Sequence, residues 1–160
     1  MAKSLLTGTV QNIIDDAIHE ELYAAQLYRH LSNQCNRLGL FGAAKYFANE
    51  SSDELTHYQK WADYLNDRGS VATLPETPAF DNTIPDIKAA LEAAYDAEKA
   101  LGDKYIAWYK QVFPIDPMTA SFMLFYLDKQ MASIGEYSDL LQRLALGGDI
   151  LVFDQEMGGD

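Results

Sequence analysis

The sequence predicts an all-α protein: a four-helix bundle with one long crossover and a short C-terminal fifth helix. Two observations carry that expectation. Apolar residues recur at alternating steps of four and three through four long segments, which puts them on one face of a helix. The connections between those segments differ in length, two being short turns and one running from residue 69 to residue 84. Short turns make antiparallel neighbours, whereas the long connection can travel the length of a bundle.

Each element has its own punctuation. The first helix is expected over about 10–36 and stops near Gly39, and the second over about 41–68, stopping at Gly69. Residues 69–84, GSVATLPETPAFDNTI, contain two of the five prolines and no helical period. Pro85 suits a first helical turn, so the third helix is expected over about 85–112, closed by Pro114. Asp116 followed by Pro117 is a cap and an N1 proline, opening a fourth helix over about 117–146 that ends at Gly147 and Gly148. A tail helix is expected over about 149–157. The whole chain, 1–160, fits a single domain long enough to bury a core without disulfides or a structural metal.

Composition narrows the function. The net charge is -12, from 24 acidic against 12 basic residues, a field that repels phosphate backbones and anionic membranes and attracts cations. Neither nucleic acid nor a membrane is expected as a partner. The single cysteine, Cys35, excludes an intramolecular disulfide framework and any Cys-rich metal site. Neither a signal peptide's apolar run nor a membrane span of roughly 18 apolar residues occurs, so a soluble cytoplasmic protein is expected.

Each apolar seam is broken once by a polar residue near mid-helix. Helix one offers Ile14, Ala17, Glu21, Ala24, Tyr28, Leu31 and Cys35, and helix two Phe47, Ser51, Glu54, Tyr58, Trp61 and Leu65. Helix three has Glu98 between Ala94 and Leu101, and helix four has Gln130 between Leu127 and Ile134. Because all four lie near mid-helix, they meet at one level whichever way each helix points. A single buried carboxyl could stay protonated or reach water. Three together would repel one another and cost several kcal/mol each unless a cation joined them. No lysine or arginine occupies the seams, and His57, one turn beyond Glu54, is the nearby partner. Carboxylates from several helices plus imidazole suit iron or manganese.

At these residues the chain resembles the non-haem ferritins of the ferritin-like di-iron family. EELYAAQLY supplies Glu21 and Tyr28, ANESSDELTH supplies Glu54 and His57, ALEAAYDAEKALGDKYIAW supplies Glu98, and FYLDKQ ends on Gln130. The resemblance implies a ferritin-like bundle with a ferroxidase centre in which Glu21, Glu54 and His57 hold the first iron. It also implies that Glu54 and Glu98 hold the second, with hydrogen bonds from Gln130 and Tyr28. It implies that Fe(II) is both cofactor and substrate, oxidised by dioxygen or hydrogen peroxide, with Fe(III) mineral stored in a homo-oligomeric cage. GGDILVFDQEMGGD resembles a shortened form of the family's closing segment, so a cage of 24 subunits is expected. No haem is expected.

The chain departs from the family in two places. Near the start of helix four, where acids often line threefold channels, it has Thr119, Ala120, Phe122 and Met123. On helix two, Thr56 and Gln59 occupy candidate mineral-nucleation positions, although Glu50 and Asp53 remain. Glu50, one turn before Glu54, is a possible iron transit site. Glu20, Glu92, Glu136, His19 and His30 are expected at the surface, and Cys35, Trp61 and Trp108 in the core. A di-iron oxidoreductase without storage is the rival enzyme, and such enzymes normally carry a second Glu-x-x-His. Here the segment is Gln130-Met131-Ala132-Ser133. The non-enzymatic rival is a helical assembly protein whose polar layer fixes register.

Overall fold

The computed structural model describes residues 3–159. Five helices appear in order: α1 (Gly8–Arg37), α2 (Phe41–Asp67), α3 (Ile87–Val112), α4 (Pro117–Ala145) and α5 (Ile150–Met157). Side-chain caps start four of them, with Thr7, Asp86, Asp116 and Asp149 accepting from backbone amides two or three residues on. The left-handed glycines Gly39 (φ 78°) and Gly69 (φ 75°) follow the ends of α1 and α2, as a turn out of a helix requires. Pro85 is not part of α3. Asp86 takes an extended backbone (φ -160°, ψ 176°) and its carboxylate accepts from the Ala89 amide at 2.8 Å, so the helix opens at Ile87.

Cross-helix bonds fix the topology. Ser51 Oγ donates to the Ala25 carbonyl and Ser32 Oγ to the Ala44 carbonyl, both at 2.7 Å, which makes α1 and α2 antiparallel. Tyr28 reaches Glu98 and Tyr105 reaches Glu21, so α1 is antiparallel to α3 as well. The connection from α2 to α3 then runs the length of α1. Ser70 bonds Gln11 at its start, His30 Nε2 meets the Asn82 carbonyl at 2.9 Å, and the Ile84 amide donates to Gln34 at its end. His30 is therefore buried beneath the crossover, stacked on Phe80, and is not the surface residue its sequence position suggested.

Two apolar clusters fill the bundle. Tyr28, Leu31, Phe47, Leu91 and Tyr137 anchor one, while Ile14, Ile18, Trp61, Tyr105 and Met123 anchor the other. On α4 the counted seam is buried at Met123, Gln130 and Tyr137 and departs from the count elsewhere. Leu127, Ile134, Leu141 and Leu144 are only half-buried, whereas Tyr126 is sealed between Trp61 and Tyr105 at centroid distances of 4.8 and 5.2 Å. Aromatic area gained there outweighs the aliphatic count, and the buried face of α4 leans toward Tyr126. Thr119, Ala120 and Met123, at the altered start of α4, are buried, and Thr119 bonds Tyr64 and Asp116.

The tail helix caps another helix. The residue before α2, Leu40, provides no side-chain acceptor, and the Asp154 carboxylate takes that role, accepting from the amides of Gly42 at 3.0 Å and Ala43 at 2.7 Å. Gly42 is needed for the approach, since a Cβ there would lie 1.9 Å from the Asp154 carbonyl oxygen. Among the described residues, no helix is long and apolar enough to cross a membrane.

Candidate metal centre

Between the two apolar clusters lies a polar layer contributed by all four long helices. Glu21, Glu54, Glu98 and Gln130 are each at most 4% exposed. Their seam neighbours fix that position, because rotating any one helix to expose its polar residue would also expose the flanking apolar residues.

One side of the layer gathers potential ligands. Single ligand atoms of Glu21, Glu54 and His57 lie within 4.8 Å of one another. His57 Nδ1 is 3.1 Å from Glu54 Oε2 and 3.7 Å from Glu21 Oε2. Glu21 Oε1 accepts from the Tyr105 hydroxyl at 2.5 Å, and that hydroxyl in turn accepts from Trp61 Nε1 at 3.2 Å. Glu21 Oε2 is buried with no hydrogen-bond partner. Burial, reinforced by the Glu21 and Glu98 carboxylates, pushes the Glu54 carboxyl well above the ordinary range. The Glu21 oxygen without a donor, the raised Glu54 carboxyl and the His57 imidazole form a group that can take up a proton or a cation.

The other side is already saturated with donors. Glu98 accepts from the Tyr28 hydroxyl on one oxygen and from Gln130 Nε2 at 2.6 Å on the other. Burial raises the Glu98 carboxyl, and those two hydrogen bonds oppose the rise. Tyr28 itself is pushed up by burial and by neighbouring Tyr137 and Glu98.

Trp61 is in the core as expected, whereas the sequence does not single out Tyr105 or Tyr126 as partners of the site. Tyr105 bonds Glu21, and the Tyr126 hydroxyl donates to the His57 carbonyl at 2.6 Å, holding that turn of α2 against α4. Tyr105 stands two turns beyond Glu98 on one seam, so its level in the bundle was visible, but its rotamer was not. Glu50 is half-buried, and burial together with Glu136 and Asp53 pushes its carboxyl up to about 7. Glu136 is exposed as expected, yet it accepts from the Tyr46 hydroxyl at 2.6 Å across the α2–α4 interface.

A family model for the ferritin-like domain matches residues 11–146. The chain belongs to the ferritin-like domain family. A probable bacterial non-heme ferritin-like protein of Haemophilus influenzae is 25% identical over 159 residues, 96% of each chain. A bacterial non-heme ferritin of Campylobacter jejuni is 23% identical over 146 residues, covering 91% of this chain and 87% of its own. Among solved structures, the open pore ferritin of the archaeon Archaeoglobus fulgidus superposes with a TM-score of 0.91 at 22% identity, covering 96% of this chain and 98% of its own. That likeness establishes the ferritin fold, a four-helix bundle with a short closing helix.

Proposed function

We propose that this ferritin-like protein is a ferroxidase that stores iron. Glu21, Glu54 and His57 hold the first Fe(II), Glu54 and Glu98 hold the second, and Gln130 and Tyr28 orient Glu98. Glu50 passes iron between the centre and the cavity beside it. The observation that carries the reading is the buried, unbonded Glu21 Oε2 beside Glu54 and His57, since a cation there would satisfy that oxygen and relieve the repulsion among the carboxylates together. Two Fe(II) ions supply one electron each. Dioxygen takes both with two protons and leaves as hydrogen peroxide; peroxide itself can serve as the oxidant, leaving as water.

Storage requires a shell, and a homo-oligomeric cage of 24 subunits is the assembly proposed. Support comes from apolar surface at the tail, where Leu146 is 88% exposed and Leu151 64% exposed in the isolated chain. Aerobic addition of Fe(II), followed by optical absorbance and then native mass and microscopy, tests both parts. Oxidation well above the protein-free rate, with iron cores inside a hollow particle, is expected. A native rate equal to the protein-free rate would remove the ferroxidase reading, and a monomeric mass at micromolar concentration would remove the cage.

A further inference from the structure

Two cavities of opposite chemistry reach the polar layer from opposite faces of the bundle. Between α2 and α4 a space of about 420 Å³ is lined by Glu50, Asp53, Glu54, His57 and Glu136, with Lys60 and Lys129 over the Phe125 ring at 4.3 and 5.7 Å. Between α1 and α3 a larger space, about 580 Å³, has Ala24, Leu27, Ala97, Leu101 and Glu98 in its walls. We propose that the α1–α3 cleft is the passage for dioxygen, while Fe(II) uses the acidic α2–α4 cleft. This rests on the ferroxidase reading of the centre.

The position of the cleft follows from the seams. Ala24 lies one turn from both Glu21 and Tyr28 on α1, and Leu101 lies one turn beyond Glu98 on α3, so the cleft meets the bundle at the level of the metal ligands. Ala93, Ala97 and Ala100 also line it, and side chains this small cannot fill the space between two helices. Its chemistry selects the traveller. A neutral diatomic loses little on leaving water for a mostly apolar space, whereas a divalent cation would shed hydration beside a buried carboxylate, Glu98, whose two oxygens already have donors. At the rim Lys104 Nζ on α3 lies 2.5 Å from Glu20 Oε1 on α1 and offsets that carboxylate, which leaves exposed Asp96 as the remaining acid at the outer edge. The acids of the opposite cavity instead draw cations in.

Ala97→Phe places an aromatic ring in the cleft at a position that is not itself a proposed ligand, and Ala97→Leu is the milder form should the first not fold. Initial iron oxidation is followed against dioxygen concentration, alongside anaerobic stopped-flow binding of Fe(II). The expected result is an apparent dioxygen KM raised about tenfold in the phenylalanine variant, with anaerobic Fe(II) uptake unchanged. Native crystals under xenon pressure should hold xenon beside Ala97, and variant crystals should not. A folded variant with the native dioxygen KM, slowed anaerobic Fe(II) uptake, or native crystals without xenon in the cleft would each overturn the passage. If the native protein does not accelerate oxidation, the ferroxidase reading fails and takes the passage with it. Native acceleration with an unmoved dioxygen KM defeats the passage alone.

Discussion

The two sides of the polar layer face the same burial and solve it differently. Glu21, Glu54 and Glu98 are 0%, 3% and 1% exposed, so desolvation does not distinguish them. The supply of donors does. Glu98 has one for each oxygen, whereas Glu21 Oε2 has none and Glu54 faces Glu21 across His57. A carboxylate with two donors is stable without a metal, while one with an orphaned oxygen depends on a proton or a cation. Metal should therefore matter most on the Glu21–Glu54–His57 side.

Removing the residue shared by both sides gives the largest expected effect. Glu54→Ala should lower the initial rate of aerobic Fe(II) oxidation by about 100-fold or more, because both proposed iron positions would lose a ligand. Glu98→Ala, which leaves the three-ligand group intact, should cost about tenfold. Stopped-flow absorbance on both folded variants decides the matter, and equal losses would show that the two sides are not functionally distinct.

His57→Ala probes the first side alone. Anaerobic calorimetry with Co(II) as a redox-inert substitute should show one binding step weakened about 10–100-fold and the other nearly unchanged. If both steps weaken together, the division between the sides is wrong.

Gln130→Glu probes the second side. The native amide donates to Glu98 Oε2 at 2.6 Å, and a carboxylate in its place would turn that contact into repulsion. The metal-free variant should be less stable by about 1–3 kcal/mol in chemical denaturation, and metal should restore the loss. The added anion should also tighten the second site, slowing recovery between successive iron additions several-fold while sparing the first turnover. Native recovery in the variant would mean that Gln130 does not set the asymmetry.

What the sequence disclosed follows the same division. The polar layer was legible because each of Glu21, Glu54, Glu98 and Gln130 interrupts an otherwise apolar seam, and a four-three count fixes the level of a residue along a helix. It fixes facing less well. On α4 the count chose Leu127, yet Tyr126 is the residue sealed against Trp61 and Tyr105, because ring stacking with other helices draws the buried face toward it. Partners distant in sequence were harder still. Nothing near residue 42 announces that Asp154 will cap α2, and nothing near His30 announces the Asn82 carbonyl beneath the crossover. Glu136 was assigned to solvent by its place off the seam, and solvent exposure did not prevent its bond to Tyr46.

The smallest expected effect lies just outside the layer, at Glu50. Burial first, then Glu136 and Asp53, raise its carboxyl from 4.5 to about 7 in the folded chain. The folded protein therefore holds a proton that the unfolded chain releases earlier as pH rises, so the unfolded state binds fewer protons across this window. Stability linked to Glu50 is present below pH 4.5 and is lost as pH rises through about 7. Glu50→Gln keeps the shape of the neutral side chain and cannot ionise, so the metal-free variant should lose less stability than the native protein over that interval. Glu54 and Glu98 are raised as well, but they are common to both proteins and largely cancel in the difference. Urea denaturation midpoints measured with a chelator present, from about pH 5 to about pH 8, give the comparison. Parallel curves would place Glu50 in solvent, outside the electrostatic reach of the centre. A native curve that becomes parallel to the variant's only when metal is added would show that cation binding relieves the same repulsion that raises Glu50.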